Sequence, residues 1–337
     1  AYGRRLALNR SAFTIGLSAV VLLVLLRITI GWHFLYEGVW KIANRDTFSA
    51  EPFLTQAKGP FAPIFFAMVP DLDGKARLQV IKEKDGRVRV VSPPYETAWE
   101  RACDDFISYY NMDDKQSKAA RQTCERFVRS LQNYLAENQE AILGYLASLK
   151  RFEEEEKASP NNGAHFQRER LWERQQKLRA EVAGWLRQID AMGEAYQRAL
   201  WDLLTEEQKA KGMLKVPLCE TQRLPVRIPW IATRSELLNV VVTYSLTAIG
   251  LCLILGFFTR LANLGGALFL AFVVMTQWPW PTVVPKTPEI VGHALFVDKN
   301  FVEMMAMLAL AALPVGRWAG LDYFLYHYVC VPLRQRW

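Results

Sequence analysis

Hydrophobic and polar positions fall along this chain in two regimes. Over 13–42, 236–258, 260–280 and 301–327 apolar residues run almost without interruption, whereas 95–215 is dense in Lys, Arg, Glu and Asp. A helix rising 1.5 Å per residue needs about 20 apolar residues to cross a hydrocarbon core ~30 Å thick. The pattern therefore predicts four transmembrane helices. The first runs from Phe13 past Arg27 to Ile42, continuing through Trp32, Phe34, Leu35 and Trp40 where a cleaved leader would turn to small residues, so it is expected to be retained. The second opens on Thr233-Arg-Ser-Glu236, a capping-box pattern, and runs to Phe258, with a break at Thr259-Arg260. The third, Leu261–Trp278, ends in Pro279, Pro281, Pro285 and Pro288. The fourth spans Asn300–Leu313, stopped or kinked by Pro314 and Gly316, and Tyr323–Val331 either extends it or lies along the surface.

The polar regime reads as a mostly helical domain. Glu51-Pro-Phe-Leu and Gly59-Pro-Phe-Ala-Pro-Ile-Phe-Phe alternate breakers with apolar residues and are too short to span, which places them on the membrane surface. Residues 77–92 predict a β-hairpin, with Leu78 and Val80 before Asp85-Gly86 and Val88 and Val90 after it. Asn111–Asp114 has the composition of a turn between helices. Beyond it, Ala120, Cys124, Phe127, Leu131, Leu135, Ile142, Leu146 and Leu149 recur at three- and four-residue steps. So do Leu171, Leu178, Val182, Trp185, Ile189, Met192, Tyr196, Ala199 and Leu203. Such seams, joined through Ser159-Pro-Asn-Asn-Gly163, predict a coiled-coil hairpin with arms of ~45 residues and a length of ~65 Å. The Glu153–Glu156 run near its tip reads as a solvated end rather than a metal site.

Composition alone hides this division, because 51% hydrophobic residues and a mean hydropathy of +0.01 are averages over both regimes. The net charge of +7 is drawn largely from Arg4, Arg5, Arg10, Arg260, Arg317, Arg334 and Arg336, all beside apolar spans. Cations in short flanking loops mark the inner side, so both termini are expected inside, the large domain outside, and no nucleic-acid surface is indicated. Trp32, Trp40, Trp230, Trp278 and Trp280 then fall near the outer interface, where amphipathic rings are favoured. The expected fold is an all-α membrane protein: a four-helix transmembrane bundle (1–42 and 236–337) carrying an extracytoplasmic insertion (43–235), mostly helical with a small β-hairpin.

Charged groups in hydrocarbon face a bundle interior or a cavity. Arg27, Gly31, Phe34, Gly38 and Lys41 share one face of the first helix, and its two glycines admit a close neighbour. His33 and Glu37 lie on an adjacent face. Two roles fit Arg27, His33, Tyr36, Glu37 and Glu303: a structural ion-pair cluster, or a quinone or proton-coupled pocket walled by Tyr36, Trp32 and Trp278. A metal or haem site from His33, Glu37, His293 and Glu303 fits by ligand type, but no spacing selects a metal. Arg27 is expected to pair with Glu303, and Glu236 to meet Lys41.

The five cysteines include no Cys-x-x-Cys pair, which argues against a thioredoxin centre or a zinc ribbon. Cys103 and Cys124 stand at similar distances either side of the Asn111–Asp114 turn, which predicts a disulfide between them, with Cys219 as the spare or alternative thiol. No nucleophile elbow, phosphate loop or zinc-protease helix is present, so no self-sufficient catalytic site is indicated.

Three motifs recur in order along the spans: Arg27-x-x-x-Gly31-x-x-Phe34-x-x-x-Gly38-x-x-Lys41; Glu236 at a helix start with Gly256-x-x-Thr259-Arg260 at its end; and Asn300-x-x-Glu303 before Gly316-Arg-x-x-Gly320-Leu-Asp322. In these the membrane segments resemble the DoxX family of small bacterial four-helix membrane proteins, and the long insertion lies outside the resemblance. The resemblance implies a bacterial inner-membrane protein with no intrinsic cofactor, a subunit of a redox complex such as the DoxD-type component of thiosulfate:quinone oxidoreductase, in contact with lipid, protein partners and quinone. The alternative expectation is a non-catalytic anchor whose outer helical stalk docks partners in a larger membrane assembly. A transporter is a weaker third reading, because no clear inverted repeat is visible.

Overall fold

A computed structural model describes residues 15–84, 86–158, 165–228, 231–277 and 297–331. Several expectations fall outside them: the turn at Ser159–Gly163, Asp85 of the hairpin turn, the prolines after Trp278, His293, Trp230, Trp278 and Trp280, and the arginines at 4, 5, 10, 334 and 336. The described chain is mostly helical and divides into two compact units.

The first unit is built from 15–48, 239–277 and 297–331. Its helices are α1 (Leu17–Ala43), the greater part of α9 (Arg234–Leu255), α10 (Thr259–Thr276), α11 (Lys299–Ala312), α12 (Val315–Trp318) and α13 (Asp322–Leu325), the last continuing into a π-turn at Tyr326–Cys330. Three of these, α1, α9 and α10, are long and apolar enough to cross a membrane. α11 has 14 residues, or ~21 Å of rise, within one residue at each end of the run predicted for the fourth span, and is shorter than the three helices long enough to cross. Its start is fixed by Asp298, whose side chain accepts from the Phe301 amide. The α9–α10 corner lies earlier than the expected break at Thr259-Arg260. α9 stops at Leu255, Gly256 and Phe258 take left-handed backbone (φ +66° and +45°), and Thr259 already opens α10.

Burial in this unit follows the predicted stripe. Arg27, Ile30, Gly31, Phe34 and Gly38 are the buried residues of α1. Ile30 and Phe34 share a core with Leu246 and Leu253 of α9, Ala262, Ala267 and Leu270 of α10, Met307 and Leu310 of α11, and Val315. The opposite side leaves Leu22, Leu25, Trp32 and Tyr36 exposed. Large apolar side chains turned outward over a whole helix are what a lipid environment accommodates and water does not.

The second unit covers the described part of 49–238. It contains α2 (Glu51–Thr55), α3 (Ala62–Phe66), β1 (Gln79–Lys82), β2 (Val88–Val91), α4 (Pro93–Tyr110), α5 (Asp114–Glu137), α6 (Gln139–Ala158), α7 (His165–Trp201), α8 (Glu206–Lys209), β3 (Arg223–Ile228) and β4 (Ile231–Thr233). β1 and β2 form the predicted antiparallel hairpin, with Val80 opposite Val90, and β3 and β4 form a second two-stranded sheet. α4 ends at Asn111 in left-handed backbone (φ +48°), and α5 starts with a capping box between Asp113 and Gln116, so the expected turn is present.

The long arms differ from expectation. The first is broken into α5 and α6 at Asn138, whose side-chain amide donates to the Tyr134 carbonyl and competes with the helix ladder. The second ends at Trp201, and Thr205 caps the short α8. The seam residues Leu131, Leu135, Ile142, Leu149, Leu178, Val182, Ile189 and Tyr196 are buried as predicted, but in a core shared with Leu78, Val90, Tyr95, Trp99 and Phe106. The helix pair is therefore built into a domain rather than standing as a separate stalk. Within residues 51–66, the stretch expected on a membrane surface, Leu54, Ala57, Ala62 and Phe65 are buried. They are held against α7, where Arg179 lies 3.9 Å over the Phe66 ring and Lys58 4.8 Å over Trp172.

Candidate functional site

The polar residues of α1 do not gather in one pocket. Arg27 is 1% exposed and donates through its two terminal nitrogens to the carbonyls of Val315 (3.0 Å) and Ala319 (2.7 Å). Asp322 supplies the nearby negative charge. The expected Arg27–Glu303 pair is thus absent. Side chains on a helix tilt toward its N-terminus, so Arg27 reaches back along α1, away from the end that carries His33. Glu303 pairs with His33 instead, Oε1 lying 2.9 Å from Nδ1.

Glu37 bonds Lys41 one turn further along α1 at 2.7 Å. Glu236 pairs with Lys215 at 2.9 Å and caps α9. In that cap the Thr233 hydroxyl accepts from the Glu236 amide while the Glu236 carboxylate accepts from the Ala232 and Thr233 amides. Tyr36 is 60% exposed. The five residues expected to share a pocket thus separate into a buried arginine, two ion pairs and an outward-facing ring.

Arg27 belongs to a knot that joins all three sequence motifs. Asp322 accepts from the amides of Phe258 (2.8 Å) and Thr259 (3.0 Å) and from the Thr259 hydroxyl, satisfying the first turn of α10. In return the Leu321 and Asp322 amides donate to the carbonyls of Leu255 and Gly256 at 3.1 and 2.8 Å. The glycines allow this approach: a Cβ on Gly256 would lie 2.6 Å from the Gly320 Cα, and one on Gly316 2.7 Å from Thr259 Cγ2. The motif glycines of α1 act similarly, since a Cβ on Gly31 would lie 2.8 Å from that of Leu253.

A second polar cluster, which no local sequence signal marks, lies in the core of the second unit. The Tyr95 hydroxyl donates to Asp190 at 2.6 Å, and Arg77 donates to Asp71 through Nε at 3.2 Å and to the Asp71 carbonyl at 2.9 Å. Burial raises the Asp190 carboxyl above the ordinary range, partly opposed by the Tyr95 hydrogen bond and the Arg77 charge. Burial likewise raises Tyr95, which keeps it a neutral donor.

Cys103 of α4 and Cys124 of α5 are free thiols buried within the same core. Interaction with Cys124 and burial together raise the Cys103 thiol, while interaction with Cys103 lowers Cys124 to about 7 against a burial that raises it. Cys219 stands apart, bonded to the Thr221 hydroxyl at 3.2 Å. Among the described residues no three His, Cys, Asp or Glu side chains are placed to share a metal ion.

No protein-family model, no curated protein and no solved structure matches the chain.

Proposed function

We propose that the chain is a multi-pass membrane anchor of DoxX-like design whose helical domain, 49–238, stands on the outer face and docks partner proteins in a larger assembly. The observation that supports this most directly is how the polar groups of the apolar helices are used. Arg27 is taken by two carbonyls and Asp322, and Glu303 by His33, contacts that join α1 to the later helices, while Glu37 is taken by Lys41 within α1 itself. In this reading α11, with α12 beyond the Pro314 bend, makes the fourth crossing of a bacterial inner membrane. Both termini lie inside, as the arginines at 4, 5, 10, 260 and 317 favour.

The test is crosslinking in intact cells followed by purification. Crosslinks from residues 49–238 to another protein are the expected result; a chain recovered without partners, its lysines in 49–238 closed to an impermeant amine reagent, would overturn the proposal.

A second reading, a quinone-linked redox subunit, draws on one feature. The His33–Glu303 pair leaves the His33 side chain 55% exposed, on the helix whose Trp32 and Tyr36 rings face outward. A quinol headgroup would meet the imidazole and carboxylate there, with a partner carrying the electrons onward. Quinone retained in detergent extracts and lost in His33→Ala would favour this reading over the anchor.

A further inference from the structure

We propose that Cys103 and Cys124 are a covalent modification site, closing into a disulfide that staples α4 to α5, with Cys219 excluded from the pairing; the formation of this bond in the cell rests on the outward placement of 49–238. Sequence position alone left Cys219 as an alternative partner. The structure separates the three thiols by environment. Cys103 and Cys124 face each other across the antiparallel α4–α5 pair, both buried in the main core, with Tyr196 of α7 beside them. Cys219 lies with the other polar cluster, close to Arg77, Tyr95 and Asp190, and is bonded to Thr221.

Both thiols sit on buried faces of helices joined by the turn at Asn111–Asp113, and the Arg121–Asp104 ion pair at 3.2 Å sets α4 and α5 level with each other beside them, so only a short approach is needed to bond.

The oxidant is the disulfide of an extracytoplasmic thiol–disulfide oxidoreductase or a small-molecule disulfide. The thiolate of one cysteine attacks one sulfur of that disulfide and releases the other as a thiol. The second cysteine then gives up its proton, attacks the first cysteine's sulfur in the mixed disulfide and expels the oxidant's bound sulfur. Two electrons and two protons pass from the cysteine pair to the oxidant, which leaves as a dithiol or two thiols. Both thiols are more than nine-tenths buried, so the exchange occurs while the α4–α5 hairpin is still open during folding. The finished bond is then shielded from reductant.

The experiment is to trap thiols with N-ethylmaleimide in native membranes, purify the full chain and map peptides without reduction. A Cys103–Cys124 linked peptide, with Cys219 recovered alkylated after unfolding, is the expected result. Recovery of both Cys103 and Cys124 alkylated, in cells where an impermeant amine reagent labels lysines of 49–238, would overturn the proposal. If those lysines are not labelled, it is the outward placement that fails. The pairing is then decided on purified protein refolded in a glutathione redox buffer, where absence of the linked peptide overturns it. Cys103→Ala/Cys124→Ala, which keeps the core apolar, is expected to melt roughly 5–10 °C below the oxidised parent, as loss of a loop of about 20 residues implies, while Cys219→Ala leaves the linked peptide intact.

Discussion

Gly38 of α1 lies so close to Thr247 of α9 that a Cβ on the glycine would sit 2.6 Å from the Thr247 amide nitrogen and 2.9 Å from its Cα. Both neighbours are backbone atoms of a helix, which no side-chain rotation moves away. Gly38→Ala is therefore expected to destabilise the membrane unit by ~1–3 kcal/mol, the usual range for overpacking. Thermal unfolding in detergent checks this; a melting point equal to that of the parent would mean that α1 and α9 do not meet at this point.

Gly144 in α6 and Gly184 in α7 are the opposite case, exposed and with nothing within 4 Å of an added Cβ. Each glycine in a helix interior gives up about 1 kcal/mol relative to alanine. Gly144→Ala and Gly184→Ala should each raise the unfolding free energy by up to that amount. A loss of stability in either would show that its surface is occupied.

The partner of Arg27 is tested by coupling rather than by single substitutions. Arg27→Gln removes the donors to Val315 and Ala319 and leaves Asp322 without its countercharge, a loss on the order of 3 kcal/mol. In double-mutant cycles, Arg27→Gln with Glu303→Gln should be additive, whereas His33→Ala with Glu303→Gln should couple by ~0.5–1 kcal/mol. Additive His33 and Glu303 with coupled Arg27 and Glu303 would restore the pairing expected from sequence.

These cases mark where local pattern stops being informative. The buried face of α1 was legible because three- and four-residue spacing is a property of one helix, and Arg27, Gly31, Phe34 and Gly38 carry it among neighbours. The hairpin at 79–91 and the Asn111 turn were legible for the same reason. The destination of Arg27 was not, because its partners are main-chain carbonyls 288 and 292 residues away, and a carbonyl has no residue signature. Asn138 broke an arm that apolar spacing alone read as continuous, since spacing is nearly indifferent to a one-residue interruption. The Tyr95–Asp190 bond joins side chains 95 residues apart on an α4 and an α7 that each read as ordinary amphipathic helices.

Asp190 gives the domain of residues 49–238 a pH signature. Its carboxyl is raised by burial, so the folded state holds the proton more tightly than the unfolded chain does. Its contribution is therefore fully present below the ordinary carboxylate value and is lost as pH rises through the raised one. Asp190→Asn retains an acceptor for the Tyr95 hydroxyl and has no proton to lose. Melting temperature across an acid-to-neutral series should consequently fall less steeply with rising pH in Asp190→Asn than in the parent. Identical slopes would mean that Asp190 is already ionised throughout.

The Asp322 clamp also sets an order of events during synthesis. Arg27 enters with the first helix, but the carbonyls of Val315 and Ala319 and the Asp322 carboxylate are made almost three hundred residues later. Until then the guanidinium has none of its final partners, and the start of α10 lacks its cap. The early helices must wait, with that charge held near lipid headgroups, water or the insertion machinery, until the last segment arrives. Closure of the membrane unit thus awaits synthesis of Asp322, and a chain ending short of it lacks both the countercharge of Arg27 and the cap of α10.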